Sequence, residues 1–421
     1  MRPLLGAAIV ALVLVAGAAN AAPPEADVRF ATFNASLNRP QAAPGADSLT
    51  TQLANPSVND QYRNQAKNVA EVIQRVRPDV LLINEFDPFQ NGDLGVNPGA
   101  ENLFRDNFLE VPQNDAQPID FPYAFIAASN TGVPTGMDLD NSGAVGGGND
   151  AFGFGAFPGQ FGMVVYSKYP IDYGNVRTFR LFKWKDMPGN LIPTPFYSPA
   201  EVEILRLSSK SHWDVPLLIG GKTVHFLVSH PTPPVFDGAE DRNGRRNHDE
   251  IRFWADYISP GKSEYIYDDE GAYGGLKPGE LFVIAGDQNS DPLDGDSVPG
   301  AIQQLIEHPL VNTKVTPSSA GAVEAAALQG GANATHRSDP RFDTADFADS
   351  APGNLRADYV LPRKSLQIVD AGVFWPVQAD PLFRLTGVFT PGFPGVWGLV
   401  GGFPTSDHRS VWVDVTVPSL K

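Results

Sequence analysis

Polar side chains that could bind a cation or move a proton follow an apolar run in residues 281–292, LFVIAGDQNSDP. The run leads through Gly286 to Asp287 and Asn289. A continuous apolar run bounded by Gly and Pro is typical of a strand that is buried on both faces. Groups at its end are held rigidly at the rim of the core, where carboxylate and amide oxygens suit a hard metal ion. The alternative is a simple turn in which Asp287 caps local backbone.

Other apolar segments carry polar residues of the same kinds where a strand would end. A carboxylate directly after such a run is costly to bury unpaired, so it should reach water or meet a cation. A histidine titrates near neutral pH, and a carboxylate on its far nitrogen fixes the tautomer and stabilises the charged ring. The segments are 28–33 with Asn34, 79–84 with Glu85, 225–229 with His230, 355–362 with Asp358, and 410–417 preceded by Asp407 and His408.

This ordered set resembles the endonuclease/exonuclease/phosphatase family, the DNase I-like metal-dependent phosphoesterases, from about residue 28 to about residue 417. On that resemblance the chain is identified as a secreted bacterial member. The resemblance implies a divalent metal, Mg²⁺ before Mn²⁺ or Ca²⁺, held by or near Asn34, Glu85 and Asp407. It implies catalytic roles for His230, Asp287, Asn289, Asp358 and His408. One departure is Asn84, because the family usually has Gln before the metal-binding Glu.

The resemblance also implies what each catalytic residue does in the hydrolysis of a phosphate ester. Asp287 would orient or deprotonate the attacking water, and Asn289 would donate a hydrogen bond to a phosphoryl oxygen. His230 would contact the scissile phosphate and protonate the leaving group. His408, oriented by Asp358, would be the general base. Whether Asp287 or His408 takes the proton from water stays open in the sequence.

Three arginines follow the His230 segment, just before a predicted helix: Arg242, Arg245 and Arg246. One interpretation is that they bind substrate phosphate, because the guanidinium group pairs well with it. The alternative is a solvated, self-paired charged loop. Acidic residues elsewhere could bind further cations, although exposed acidic turns are the simpler interpretation. These are Asp138 and Asp140 in one loop, and Asp291, Asp294 and Asp296 in another.

The elements that must position these residues predict an α/β fold. Residues 61–77 carry Ala66, Val69 and Ile73 at helical spacing and end at Pro78, which predicts a helix packed on the core. Residues 132–159 are rich in Gly, Asn and Asp and are expected to form a rim or lid. The resemblance implies a four-layer α/β sandwich, two packed mixed β-sheets flanked by helices. Further strands are predicted at 123–128, 161–171, 174–182, 201–208, 213–219 and 223–229, and helices at 298–308 and 322–328.

Residues 1–22 read as a secretory signal peptide, with Arg2, an apolar stretch and a small-residue cleavage site. The apolar stretch is shorter than the roughly 20 residues a spanning helix needs, which disfavours a membrane anchor. We therefore expect a secreted or periplasmic protein without stable membrane insertion. Residues 23–421 are expected to form a single domain.

Composition narrows the possible partners. The 421 residues include no cysteine, which excludes disulfides and thiolate metal sites. The formal net charge of −17 removes the general electrostatic attraction on which nonspecific DNA binding depends. It leaves room for a local basic groove, so extracellular nucleic acid stays possible as a substrate.

The sequence thus predicts hydrolysis of phosphodiesters, in nucleic acid or a lipid headgroup, by in-line attack of water. A phosphomonoesterase for small esters is the first alternative. A non-catalytic binding module on the same fold is the second. No obligate protein partner is inferred.

Overall fold

The computed structural model describes residues 26–393 and 398–418. The predicted signal peptide, residues 1–22, lies outside the described residues. The strands are Ala26–Leu37 (β1), Val80–Phe86 (β2), Phe89–Gln90 (β3), Val96–Asn97 (β4), Tyr123–Phe125 (β5), Met163–Ser167 (β6), Arg177–Thr178 (β7), His212–Ile219 (β8), Lys222–Ser229 (β9), Leu281–Asp287 (β10), Ala345–Asp346 (β11), Asn354–Leu355 (β12), Asp358–Pro362 (β13), Gln367–Val373 (β14) and Val411–Val417 (β15).

The α-helices are Leu49–Leu53 (α1), Gln61–Val76 (α2), Ala100–Phe104 (α3), Pro199–Ile204 (α4), Arg242–Tyr257 (α5), Gln303–Ile306 (α6) and Ala320–Gln329 (α7). Helix α2 begins where the Asp60 side chain accepts from the Arg63 main-chain N–H, and ends where Arg77 adopts a left-handed conformation. No helix in these described ranges is both long and apolar enough to cross a membrane.

Two mixed sheets contain most of the strands. The first has the order β14-β15-β1-β2-β6-β5 and the second the order β13-β10-β9-β8-β7. The inner faces pack against each other through residues such as Phe30 and Leu82 from the first sheet and Phe226 and Val283 from the second. This apolar layer is the centre of the core.

Helices cover the outer faces of both sheets. Helix α2 packs Val69 and Ile73 against the outer face of the first sheet, which includes Phe33. Helix α5 packs Ile251 and Trp254 against the second sheet. The four-layer α/β sandwich that the sequence predicts is confirmed.

Two of the predicted strands are wrong. Residues 201–208 were expected to extend, but Pro199–Ile204 form helix α4. The Ser198 side chain accepts from the Glu201 main-chain N–H, and the Glu201 carboxylate accepts from the Ser198 N–H, a capping box that starts a helix. Of residues 174–182, only Arg177–Thr178 pair as a strand. Local capping therefore decided against the first of these two strands.

Candidate active site

The ends of six strands meet at one edge of the sandwich. β1 runs parallel to β2, and β9 runs parallel to β10, so the C-terminal ends of each pair lie together. β15 is antiparallel to β1, and β13 is antiparallel to β10 with Asp358 opposite Asp287. The starts of β13 and β15 therefore lie beside the ends of the other four strands. The predicted metal and catalytic residues all lie at or directly beside this edge.

Asp287 is the hub of the site. Its Oδ2 accepts from the Asn34 amide at 3.0 Å and lies 3.4 Å from His230 Nε2 and 3.6 Å from His408 Nε2. Its Oδ1 accepts from the main-chain N–H of Asn289 at 2.8 Å. One buried carboxylate thus joins groups from both sheets.

His408 is oriented from its other ring nitrogen. Its Nδ1 lies 2.8 Å from Asp358 Oδ2, and that oxygen also accepts from the Thr344 hydroxyl at 2.9 Å. The Phe347 ring packs edge-on against the imidazole at 5.3 Å. These contacts fix the ring so that Nε2 faces Asp287.

Glu85 is held on unusual backbone at the end of β2. Its φ of 58° is in the left-handed region, and Ser36 in the irregular end of β1 beside it has a φ of 47°. Such backbone is costly for residues other than Gly and concentrates at functional sites. The Glu85 oxygens accept from Asn34 at 3.2 Å and from Asn38 at 2.6 Å. The two amides fix the carboxylate beside Asp287.

Asn84 links the two sheets directly beneath the site. Its Oδ1 accepts from the Asp287 main-chain N–H at 3.1 Å, and its amide donates to the Ser229 carbonyl at 3.4 Å. Gly286 permits this approach, because a Cβ there would lie 2.1 Å from the Ser229 carbonyl oxygen. The residue at which this chain departs from the family therefore sets the spacing of β2, β9 and β10.

The surroundings of the site shift the pKa values of two neighbouring aspartates in opposite directions. For Asp287, burial acts to raise the pKa, but the neighbouring His408 and His230 outweigh it and the pKa is lowered. Burial raises the pKa of Asp358 to about 6, although His408 opposes the shift. Opposite shifts among neighbouring acids are typical of sites that handle protons.

The two histidines also differ. Burial acts to lower the pKa of His408, but Asp358 and Asp287 outweigh it and raise that pKa well above its ordinary value. Burial, together with the charge of Lys210, lowers the pKa of His230 to about 4. At neutral pH, His408 is therefore charged and His230 is neutral.

The donor set fits a divalent cation. Burial raises the pKa of Glu85 to about 7, and repulsion from the Asp407 carboxylate adds to the rise. A cation between these groups would relieve that repulsion, and their oxygens are the ligands that Mg²⁺ and Ca²⁺ prefer. Glu85 and Asp407 are therefore the residues that would hold it. Among the described residues, the Asn34 Oδ1 accepts only from the Ser36 N–H, at 3.3 Å, and its second lone pair could still bind the cation.

Asn289 follows Asp287 on strained backbone, with a φ of 51°. Its amide donates to the Pro231 carbonyl at 3.1 Å, which ties the end of β10 to the His230 segment. In this arrangement the side chain supports the site. Its predicted contact with a phosphoryl oxygen stays a prediction.

The three predicted arginines lie inside helix α5 rather than in a loop before it, because the helix begins at Arg242. Arg242 pairs with Glu240, and Arg245 donates to the Glu240 carbonyl at 3.1 Å. Arg246 donates to three main-chain carbonyls, those of Leu207, Phe152 and Arg206. Their role in phosphate binding stays a prediction, and Arg246 has the least freedom for it.

A second acidic cluster lies in the loop 132–159. Asp138, Asp140 and Asp150 have oxygens within 4.8 Å of one another. Each of the three carboxylates accepts hydrogen bonds from within the loop, as Asp150 does from the Leu139 N–H at 2.7 Å. The cluster thus organises loop backbone, in agreement with the simpler interpretation.

The loop after β10 is similar. Asp291 accepts from the main-chain N–H groups of Leu293, Asp294 and Arg356. Asp294 accepts from Arg337 and Ser338. These hydrogen bonds fit an acidic turn, and the structure describes no side-chain hydrogen bond for Asp296.

Several residues that contribute to the site carry no sequence motif that would mark them as functional. Asn38 directly follows the irregular end of β1, and a single asparagine there is only a weak indication of a functional residue. Thr344 has no motif around it. Lys210 lies in a run of serines, and Glu250 stands among the apolar positions of α5, where a carboxylate should have indicated a buried partner.

A buried carboxylate hub, an aspartate-oriented histidine and a cation site at one edge of a four-layer sandwich define a phosphoester hydrolase. The family model described as Endonuclease/Exonuclease/phosphatase family matches residues 31–408. The chain belongs to this family, whose members hydrolyse phosphate esters. No curated protein matches the chain.

Solved structures of similar fold were also found. One is an endonuclease/exonuclease/phosphatase from Beutenbergia cavernae, with 18% identity, a TM-score of 0.47, and coverage of 93% of this chain and 72% of that one. Another is a family protein from Leptotrichia buccalis, with 13% identity, a TM-score of 0.46, and coverage of 92% and 99%. A third is Staphylococcus aureus beta toxin with bound magnesium ions, with 14% identity, a TM-score of 0.43, and coverage of 92% and 99%.

Proposed function

We propose that this protein is a metal-dependent phosphodiesterase in which a water molecule attacks phosphorus in line with the leaving oxygen. The observation that carries the proposal is the Asp287 carboxylate, shared at 3.0 to 3.6 Å by Asn34, His230 and His408. Glu85 and Asp407 would hold the cation, with Mg²⁺ as our first choice. Bound there, it would polarise a phosphoryl oxygen and offset its charge.

The side chains of the site would carry out the remaining steps of the reaction. Asp287 is ionised at neutral pH because its pKa is lowered, so its Oδ2 can orient the attacking water and accept the proton that the water loses. His408 is charged because its pKa is raised, so Nε2 can give its proton to the leaving oxygen as that oxygen separates from phosphorus. His230, which is neutral, would hold another phosphate oxygen through a hydrogen bond. Asp358 keeps His408 in position throughout.

The substrate we propose is a diester, in extracellular nucleic acid or a lipid headgroup. The experiment is hydrolysis by purified protein of bis(4-nitrophenyl) phosphate, 4-nitrophenyl phosphate, plasmid DNA and phosphodiester lipid vesicles. Mg²⁺, Mn²⁺ and Ca²⁺ are added singly, and His408→Ala is assayed beside the wild type. We expect metal-dependent cleavage of the diester, of DNA or of the lipid, and its loss in the variant.

Other outcomes would redirect the proposal. Turnover of the monoester alone would replace it with a phosphomonoesterase. Metal and phosphate binding with no turnover of any substrate would favour a binding module on the same fold.

We also propose that the protein is exported to the periplasm or the medium. The support is the pattern of residues 1–22, and the test is the intact mass of the protein from the cell exterior. A mass that still includes those residues would contradict cleavage.

A further inference from the structure

Lys210 is a buried lysine whose charge has no partner in the parts of the chain that the structure describes. The residue is 7% exposed. No carboxylate oxygen of the described residues lies within 4.0 Å of its Nζ, and no hydrogen bond to that atom is found among them. A buried ammonium without a pair is costly, so its retention calls for a reason other than stability.

The backbone fixes Lys210 beside the catalytic segments. Glu250, on the inner face of α5, accepts from the Ser209 N–H and from the Thr232 N–H, each at 2.6 Å. One carboxylate thus ties the residue before Lys210 to the segment that carries His230. The Lys210 carbonyl is held in turn by the Asn130 N–H at 2.9 Å.

Helix α5 extends this clamp to the hub of the site. Asn247, nearly one turn before Glu250, donates to the carbonyls of Thr232 and Gln288, each at 2.9 Å. Gln288 directly follows Asp287. The segments that carry Lys210, His230 and Asp287 are therefore joined through two side chains of a single helix.

The charge of Lys210 interacts electrostatically with carboxylates of the site and with His230. Burial lowers its pKa, while the carboxylates of Glu250, Glu85 and Asp287 oppose that shift. Arg242, Arg245 and Arg246 of α5 are engaged with Glu240 and with main-chain carbonyls. Among the described residues Lys210 has no ion pair, and it lies near enough to both the metal-binding carboxylate and the hub carboxylate to interact with their charges.

We propose that the Lys210 ammonium contacts a non-bridging oxygen of the substrate phosphate and stabilises the charge that builds there during attack by water. This inference rests on the phosphoesterase function proposed above. The substrate phosphate would be the anionic partner that Lys210 lacks among the described residues. Glu250 is the positioning residue, because it holds the main chain directly before Lys210.

The test compares wild type, Lys210→Met, Lys210→Arg and Lys277→Met with Mg²⁺ and bis(4-nitrophenyl) phosphate. Lys277 is a matched control, because it is exposed just before the start of β10, at the other end of that strand from Asp287. We expect Lys210→Met to lower kcat/KM by about 100- to 1,000-fold, as for loss of one charge-stabilising donor. Lys210→Arg should retain more activity than the Met variant, and Lys277→Met should stay within about twofold of wild type.

Thermal unfolding separates function from structure. Lys210→Met should melt at or above the wild-type temperature, because it removes an unpaired buried charge. If Lys210 only supported the fold, the same variant would melt lower and would lose activity through unfolding. That result would overturn the proposal.

Calorimetric binding of inorganic phosphate in the presence of Mg²⁺ does not depend on turnover. We expect binding to weaken by about tenfold or more in Lys210→Met. If the wild type hydrolyses the diester and the variant does so equally well, the Lys210 proposal fails while the function stands. If the wild type hydrolyses nothing but the variant binds phosphate more weakly, the function fails while the contact stands. Unchanged phosphate binding in the variant would overturn the contact.

Discussion

Two histidine–aspartate pairs in this protein share nearly the same geometry. His408 Nδ1 lies 2.8 Å from Asp358 Oδ2, and His225 Nδ1 lies 2.7 Å from Asp214 Oδ1. The pKa of each histidine is raised, because the charge of the partner outweighs the effect of burial. By distance and residue type alone, either pair could be part of a catalytic site.

Their surroundings differ. His225 lies within β9 and pairs with Phe282 near the start of β10, far from the edge that carries Asp287. The other oxygen of Asp214 accepts from the Tyr257 hydroxyl at 2.7 Å, so this pair is completed by a structural hydrogen bond. His408 instead faces the shared Asp287 carboxylate, and Asp358 Oδ1 has no hydrogen-bond partner in the described parts of the chain. Position at the strand ends and a shared acceptor therefore distinguish the pair that we propose to be catalytic.

The largest expected effect comes from removing the shared charge. Asp287→Asn should lower kcat/KM by about 10³-fold, because the water loses its ionised acceptor while the side-chain shape is kept. Asp214→Asn removes the same charge from the structural pair and should stay within about twofold of wild type. Steady-state kinetics on the preferred substrate measure both, and an equal loss in the two variants would erase the distinction between the pairs.

The second-largest expected effect is a weaker apparent affinity for Mg²⁺. Asn38→Ala removes the amide that donates to Glu85 at 2.6 Å, so the Mg²⁺ concentration for half-maximal activity should rise about 10- to 100-fold. Asn175→Ala removes a comparable hydrogen bond at the surface, from the Asn175 amide to Asp172 at 2.8 Å, and should leave that concentration unchanged. Activity titrated with Mg²⁺ is the measurement. An unchanged requirement in Asn38→Ala would place the cation away from Glu85.

A smaller effect should appear in stability rather than in activity. His225→Ala leaves the buried Asp214 oxygen without its donor and should lower the free energy of unfolding by about 1–3 kcal/mol. Its kcat/KM should remain that of the wild type, since His225 lies away from the strand ends. Urea unfolding and kinetics on one preparation check both. A loss of activity in folded protein would give the structural pair a catalytic role.

The smallest effect is a pH dependence. The folded pKa of His225 is raised above its unfolded value of about 6.5, so its contribution to stability is fully present below that value. The contribution is lost as the pH rises through the folded pKa. The difference in unfolding free energy between wild type and His225→Gln should therefore be larger near pH 5.5 than near pH 9. Urea unfolding at the two pH values would contradict this if the difference grew with pH.

Much of the site could be predicted from the sequence, because side chains that follow buried strands collect at one edge of a sheet. Asn34, Glu85, His230 and Asp287 follow this rule directly, and the structure brings them together. Apolar runs and one strongly periodic helix, Gln61–Val76, indicate an α/β fold, whereas the four-layer arrangement was implied by the family resemblance.

The remainder depends on contacts that sequence spacing does not encode. Lys210 and Glu250 become neighbours of the site because α5 packs on the second sheet and Glu250 accepts from the main chain of Ser209 and Thr232. The left-handed backbone of Glu85 depends on the irregular pairing at the ends of β1 and β2, and no pattern of residues in the sequence predicts it. Helix α4 differs from the predicted strand because the Ser198–Glu201 capping box starts a helix at Pro199.

The most direct test of the central claim is the activity of His408→Ala beside that of His225→Ala on the diester that the wild type hydrolyses fastest, at saturating Mg²⁺. Both variants lose a histidine bound to an aspartate, so they differ mainly in where that histidine lies. We predict a fall of about 10³-fold in kcat/KM for His408→Ala and wild-type kinetics for His225→Ala. Comparable activities in the two folded variants would contradict the assignment of the strand-end edge as the active site.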